Sequence, residues 1–264
     1  MTEKSLVFGV FLFLKLPVCC CFYSQNTLPD IENAQFIEEC VRVHNRFRSS
    51  VDPPASNMKR MGWDHDLAKT ALGWAKMCQF KHNPDLQTPG KAHPNFTVVG
   101  ENIWTGTLSY FNVTLALTHW YNEVEYYNYA TQTCKHVCGH YTQMVWATTY
   151  KVGCAVHFCP RVQDFTGPNA AHFICDYGPG GNYPTWPYKS GVACSECHGE
   201  PCVDRLCGEV WVKPYCDLYC IIILVLRTSS FLMTFVAVFI LKKYYPGCVC
   251  ISKLEPKIST SEKY

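Results

Sequence analysis

Four side chains of this sequence have the types and the surroundings that cleft chemistry needs. One histidine follows the segment "WAKMCQFK", and a second lies in the motif "GHYTQMVW". One glutamate lies in "GENIW", an apolar, strand-like setting in which an acid needs a partner, and the other follows a tryptophan by three positions. The candidate site residues are therefore His82, Glu101, Glu123 and His140.

Three kinds of chemistry are open to such a set. Two imidazole nitrogens that face solvent make a partial zinc site, with water completing the shell. The glutamates would then orient the bound water or accept the second N–H of each imidazole. Alternatively, histidine and glutamate form a general acid/base pair, as a hydrolase requires. The third alternative is a polar network that only connects strands to helices.

Other classes of function are disfavoured by what the sequence lacks. It has no G-x-S-x-G elbow, no H-E-x-x-H helix and no glycine-rich phosphate loop. No nucleophile with a clear base is visible, so we expect the protein not to be an enzyme. The net charge is +2 and charged residues make up 17% of the chain, so the sequence lacks the strongly basic composition that is typical of nucleic-acid-binding proteins.

The cysteine content indicates an oxidising compartment. The chain has 18 cysteines in 264 residues, far more than a reduced cytosolic protein usually carries. Residues 1–24 have a lysine near the start and then an apolar run, which predicts a secretory signal peptide. The tripeptides "NFT" at Asn95 and "NVT" at Asn112 are candidate glycosylation sites. We therefore expect the body of the chain to be extracellular.

An apolar stretch near the other end predicts a membrane anchor. Residues 217–241 are long enough to cross a bilayer, which takes ~20 residues. Arg227 lies inside this stretch, and Lys242 with Lys243 follows it, as expected for a cytoplasmic flank. The sequence thus predicts a single-pass type I protein of the plasma membrane with a cytoplasmic tail over 242–264.

The elements that must position the four residues are read from apolar periodicity. The first helix would bury Phe36, Cys40, His44 and Phe47 on one face, and we expect His44 and Arg48 to make structural hydrogen bonds. The second helix would begin at the N-cap Asp64 and end at His82, and the third would carry Glu123.

The predicted order of elements is helix, helix, strand, helix, helix, strand, strand, which favours an α+β layered domain ending near Tyr183. Beyond it, residues 184–210 form a cysteine-rich hinge in which "CSECHGEPCVDRLC" holds four cysteines. Disulfides are favoured there over zinc. From Cys40 to Cys207 the cysteine count is 11, so one thiol is free or pairs nearer the membrane segment, where Cys216 is the nearest.

Four motifs carry a family resemblance. The segments "HNRFR" (44–48), "GENIW" (100–104), "GHYTQMVW" (139–146) and "HFICDYGPGGNY" (172–183) resemble the signatures of the CAP superfamily of cysteine-rich secretory, antigen 5 and pathogenesis-related proteins. The match covers about residues 34–183. With its predicted membrane span, the chain further resembles the glioma pathogenesis-related group. Asp176 departs from the pattern, since the family usually has Asn, Gln, Arg or His there.

The resemblance implies a fold, a cleft and a range of partners. The fold would be a three-layer α-β-α sandwich, with a cleft lined by the four candidate residues, in which His82 and His140 hold Zn²⁺ weakly. In the hinge it implies the pairs Cys194–Cys202 and Cys197–Cys207. It also implies a lipid or sterol ligand or a protein partner. We expect a non-enzymatic binding protein, with a hydrolase and an adhesion module with an inert cleft as alternatives.

Overall fold

The structure, a computed structural model, describes residues 27–209 and 218–244. Three longer helices and three longer strands build the domain, in the order helix, helix, strand, helix, strand, strand. The helices are α1 (Ala34–Ser49), α2 (His65–Ala75), α3 (Val113–Asn122), α4 (Gly139–Met144) and α5 (Leu218–Tyr244). The strands are β1 (Gly62–Trp63), β2 (Gly100–Thr107), β3 (Tyr127–Asn128), β4 (Thr133–Cys134), β5 (Lys151–Arg161), β6 (Pro168–Gly178), β7 (Cys202–Val203) and β8 (Leu206–Cys207).

A four-stranded sheet forms the middle layer, in the order β1-β5-β6-β2. Strands β5, β6 and β2 are antiparallel neighbours, and the short β1 runs parallel to β5. One face packs against the alanines of α2 through Ile103, Ala155 and Ile174. The other face packs against α1, α3 and α4, with Phe173 at the centre of that core. The result is the three-layer α-β-α arrangement.

Helix α1 forms where the apolar spacing predicts it. Asn33 caps its N-terminus by accepting hydrogen bonds from the backbone N–H groups of Gln35 and Phe36. The side chains of the predicted inner face are all buried, and they include a histidine. These inner residues are Phe36, Cys40, His44 and Phe47.

Two helices end earlier than the periodic pattern predicts. Helix α2, which begins at the predicted N-cap Asp64, stops at Ala75, and His82 lies in the loop that follows. Cys78 adopts a φ of 50° and bonds to Cys159 of β5, which turns the chain away from the helix axis. The prediction that His82 ends a helix is therefore wrong.

The second early end affects Glu123. Helix α3 ends at Asn122, and Glu123–Tyr126 form a 3₁₀ turn that leads into β3. The prediction of Glu123 within the third helix is corrected by one residue, because the turn redirects the chain into the β3–β4 hairpin. This tight turn brings the Glu123 carboxylate beside the start of α4.

The cysteine-rich segment packs on the sandwich. Its small hairpin, β7 with β8, is joined by the disulfides Cys194–Cys202 and Cys197–Cys207, the same pairs that the resemblance implies. Leu206 is fully buried in the main core, and the backbone of Cys207 exchanges hydrogen bonds with Met58 and Arg60. The cysteine-rich segment is thus packed against the domain and hydrogen-bonded to it.

The C-terminal helix α5 forms over the predicted anchor and extends to Tyr244. None of the helices in the described residues combines the length and apolar character that crossing a bilayer requires. The tract "RTSS" at 227–230 interrupts the apolar sequence of α5. The predicted membrane span over 217–241 is therefore not supported. The predicted signal peptide, and the predicted tail beyond Tyr244, lie outside the described residues.

Candidate functional site

The first half of the site pairs His82 with Glu101. The loop after α2 carries the histidine, and the second residue of β2 carries the acid. His82 Nδ1 lies 2.8 Å from Glu101 Oε1, which also accepts the backbone N–H of Asn83 at 3.1 Å. The Glu101 side chain is fully buried, whereas that of His82 is 64% exposed. The hydrogen bond to Glu101 raises the pKa of His82 above its usual value, although partial burial opposes the shift.

The second half pairs His140 with Glu123 in the same manner. His140 Nδ1 lies 2.6 Å from Glu123 Oε1. Glu123 Oε2 accepts the backbone N–H groups of His140 and Tyr141, at 3.0 and 3.3 Å. Helix α4 has no capping bond from its own N-cap side chain, so Glu123 supplies the cap from outside. The ring of Trp120 stacks on that of His140 with centroids 6.1 Å apart.

A buried chain of hydrogen bonds holds the backbone of His140 in place. Asn102 Nδ2 donates to the carbonyl of His140 at 3.0 Å and to the hydroxyl oxygen of Tyr177 at 3.3 Å. His44 Nδ1 donates to the carbonyl of Cys40, so its Nε2 accepts the Tyr177 hydroxyl at 2.9 Å. Burial lowers the pKa of His44 to about 4, and the ring is neutral at physiological pH. The predicted structural role of His44 is confirmed.

Arg48 fixes the loop that follows α4. The side chain is buried and makes six hydrogen bonds, all to backbone carbonyl oxygens. Burial lowers the pKa of Arg48 to about 9. The guanidinium therefore serves as a structural clamp, as expected for this motif. The accepting carbonyls belong to Lys59, Met144, Trp146, Ala147 and Thr149.

Gln143 of helix α4 makes hydrogen bonds to the segment that precedes β5 and to the segment that follows β6. Gln143 Oε1 accepts the backbone N–H of Gly181 at 2.9 Å, and its amide group approaches the hydroxyl of Thr149. A Cβ at Gly100 would lie 2.6 Å from Cδ of Gln143, so a larger residue there would have to displace this buried, hydrogen-bonded side chain. The glycine of "GENIW" thus lets the His140 half approach the strand that carries Glu101.

Comparison with known proteins places this arrangement in a family. A sequence profile of the Cysteine-rich secretory protein family, CAP, matches residues 41–177. The chain belongs to the CAP family. It is 52% identical to mouse "Glioma pathogenesis-related protein 1", over 77% of this chain and 76% of that protein. It is 49% identical to bovine "GLIPR1-like protein 1", over 68% of this chain and 73% of that protein.

A solved structure supports the same CAP fold. The protein in "Crystal structure of NaASP2 with Zn2+" superposes with a TM-score of 0.53 at 29% sequence identity. The match covers 70% of this chain and 99% of that one. CAP proteins are generally secreted or extracellular, which agrees with the five disulfides of the described residues.

The four candidate residues form two separate His–Glu pairs, His82 with Glu101 and His140 with Glu123. Within the described residues, the groups of three or more potential ligands whose donor atoms lie within 4.8 Å of one another do not include His82 or His140. Two of those groups contain disulfide sulfurs. In the third, Asp64 caps α2 and binds His93 Nε2, while His93 Nδ1 accepts backbone N–H groups.

The donor chemistry of the cleft fits a loosely held zinc ion. Each imidazole binds a carboxylate through Nδ1, and within the described residues its Nε2 makes no hydrogen bond. The carboxylates lie behind the rings, where they fix the tautomer that a metal ligand needs. His82 and His140 would supply two nitrogens, with water completing the shell.

The two glycosylation candidates are both exposed. Asn95 lies in the loop before β2. Asn112 is the N-cap of α3, and its Oδ1 accepts the backbone N–H of Leu115 at 3.0 Å. A glycan on Nδ2 of Asn112 leaves that capping oxygen in place, so modification at Asn112 is compatible with the fold.

A buried acid beside the cleft was not predicted from the sequence. Asp176 has 0% exposure and faces Glu101 across the β2–β6 ladder. A signal was available, because an aspartate stands inside the otherwise apolar strand "HFICDYG". Among the family motifs, Asp176 stood out only as a departure from the usual pattern.

Proposed function

We propose that this CAP domain is an extracellular binding module whose cleft holds a divalent ion, Zn²⁺, between His82 and His140. The observation that carries the proposal is the repeated pairing of each imidazole Nδ1 with a glutamate that lies behind the ring. This is the arrangement by which metal-ligating histidines are oriented in proteins. The structure of NaASP2 with Zn²⁺, a protein of the same fold, supports the choice of metal.

Binding is favoured over catalysis by the surroundings of the two histidines. Among the described residues, neither ring makes a hydrogen bond to a serine, threonine or cysteine side chain that it would activate. Zinc hydrolases hold their ion through three protein ligands, whereas this cleft offers two imidazoles. When bound, the ion would supply a Lewis-acidic centre for an oxygen donor of a ligand.

The partner is proposed to be a protein or a lipid or sterol that meets the outer face of this cleft. Polar groups of either ligand can complete the coordination of zinc. Membrane attachment through residues 217–241 is not part of the proposal, because the structure does not support a span there.

Calorimetric titration of the purified protein with Zn²⁺ tests the proposal. We expect binding that is lost in the double variant His82→Ala with His140→Ala, and weakened in each single variant. His136→Ala is the matched control, because His136 is exposed four positions before His140 and contacts Tyr126 rather than a carboxylate. That control should bind zinc as the wild type does.

Two outcomes would contradict the proposed function. A folded wild type that binds no zinc would reduce the cleft to a structural network. Turnover of peptide or ester substrates that disappears in Glu101→Gln, with the fold intact, would establish the hydrolase alternative instead.

A further inference from the structure

A second concave site lies beside the start of α4. It has a volume of about 250 Å³ and is formed by the β3–β4 hairpin, helix α4 and residues 182–187, which follow β6. None of the four cleft residues lines it. Drug-sized ligands occupy pockets of ~300–1,000 Å³, so the volume of this pocket suits a smaller molecule.

One wall of the pocket is held in a single arrangement by contacts within the domain. Asn182 has a φ of 60°, and its Oδ1 accepts the hydroxyl of Thr142 at 2.6 Å. Asn182 Nδ2 donates to the carbonyl of Gly139 at 2.9 Å. The rings of Trp146 and Tyr183 meet edge to face, with centroids 6.0 Å apart. The pocket is therefore preformed, as small-molecule sites usually are.

The lining of the pocket carries no charge. It consists of three aromatic residues, two prolines, four uncharged polar residues, one glycine and one disulfide-bonded cysteine. A phosphate, sulfate or ammonium group that entered would lose water and meet no opposite charge, which is costly. Nucleotides, phospholipid headgroups and sulfated glycans are therefore disfavoured, and a neutral ligand is favoured.

The pocket also offers hydrogen-bonding groups that the domain leaves unused. No described residue forms a hydrogen bond with the side chain of Gln132 or Thr185, or with the hydroxyl of Tyr183. An aliphatic chain in the pocket would remove these groups from water without giving them partners, at a cost for each. Tyr183 is 50% exposed, so its ring is accessible from solvent. The ligand must combine an apolar face with polar groups along its edge.

We propose that this pocket binds a neutral sugar ring of a glycan, with a C–H face of the sugar on Tyr183 and its hydroxyls on Gln132 and Thr185. A pyranose has C–H groups on its faces and hydroxyl groups around its edge, which matches both requirements. A single sugar of ~12 non-hydrogen atoms should bind with a Kd on the order of 1 mM. The inference goes beyond the proposed function, because the pocket does not contain the proposed zinc ligands.

Saturation-transfer NMR titration of the purified protein, without metal, tests the proposal. The probes are the methyl glycosides of glucose, galactose, mannose and N-acetylglucosamine. We expect at least one glycoside to bind, and its Kd to rise at least tenfold in Tyr183→Ala and about threefold or more in Gln132→Gly. Glycine is used because Gln132 has a φ of 55°. Tyr110→Ala is the matched control, since Tyr110 is 74% exposed and lies outside the pocket, and it should bind as the wild type does.

Three results would overturn the proposal. The first is a folded wild type that binds none of the four glycosides. The second is binding that is unchanged in Tyr183→Ala or in Gln132→Gly. The third is an oligoproline peptide, the other ligand of aromatic-lined sites, that binds here in place of the glycosides and is lost in Tyr183→Ala. If Tyr183→Ala does not fold, Gln132→Gly, in the turn of the β3–β4 hairpin, still decides.

Discussion

At the scale of single residues, the cleft depends on buried polar groups that are hydrogen-bonded to one another. His44, Asn102 and Tyr177 form a chain in which every donor direction is fixed, because the Cys40 carbonyl can only accept. The chain ends on the His140 carbonyl. Each of these groups would be costly to bury alone, so the network holds the histidine more firmly than one contact would.

Arg48 provides a test at this scale. Replacing Arg48 with methionine removes six hydrogen bonds and leaves buried carbonyls without donors, so we expect the free energy of unfolding to fall by about 3 kcal/mol or more. Arg48→Lys should recover only part of the loss, because one ammonium cannot reach five carbonyls. Urea unfolding measures both. Arg42→Met, at an exposed site on α1, is the control, and an equal loss there would contradict the clamp.

At the scale of elements, the separation between α2 and the sheet is set by glycine. A Cβ at Gly153 would lie 2.6 Å from the Asp64 carbonyl oxygen and 2.6 Å from the Leu67 carbonyl carbon. Backbone atoms cannot rotate away as a flexible side chain can. The close approach lets alanines of α2 reach Ile174, and it encloses Asp176 between helix and strand.

A pair of glycine-to-alanine changes tests this packing. Gly153→Ala forces α2 off the sheet, so we expect a loss of about 1–3 kcal/mol in the free energy of unfolding. Gly73→Ala is the matched control, because a Cβ there meets nothing within 4 Å and the residue lies inside α2. It should stabilise the protein by up to about 1 kcal/mol. Thermal and urea unfolding measure both, and a harmless Gly153→Ala would refute the close contact.

At the scale of the whole molecule, the cysteine-rich segment belongs to the same packed body as the sandwich. Tyr188 and Leu206 both join the main core, although they lie beyond the four family motifs. The hairpin that carries Leu206 is too small to form a core alone, so its two disulfides replace the apolar burial that it lacks.

Removing each hinge disulfide tests how far the segment contributes. Both close short loops, with separations of 8 and 10 residues, so each should cost about 2–3 kcal/mol. Cys197→Ala with Cys207→Ala should cost more than Cys194→Ala with Cys202→Ala, because Cys197 and Cys207 are buried beside Leu206. Urea unfolding of the two double variants gives the comparison. Equal losses would mean that the hairpin adds nothing to the core.

The family and the order of the longer helices and strands could be predicted from the sequence alone, whereas the short strands β1, β3 and β4 could not. Periodic apolar positions and the motifs "GENIW" and "GHYTQMVW" involve residues that are close together in the sequence, so they can be recognised without knowledge of the fold. The helix ends at Ala75 and Asn122 were missed, because a disulfide and a tight turn override the periodic pattern there.

The pairing of the candidate site residues depends on the folded chain and could not be predicted from the sequence. That His82 binds Glu101 depends on the packing of the loop after α2 against β2, and that His140 binds Glu123 depends on the packing of the 3₁₀ turn against α4. That Asp176 lies against Glu101 depends on strand register, which places residues 75 positions apart on one face. Burial is a property of the packed molecule, so no reading of the strand "HFICDYG" alone shows that its aspartate has lost every solvent partner.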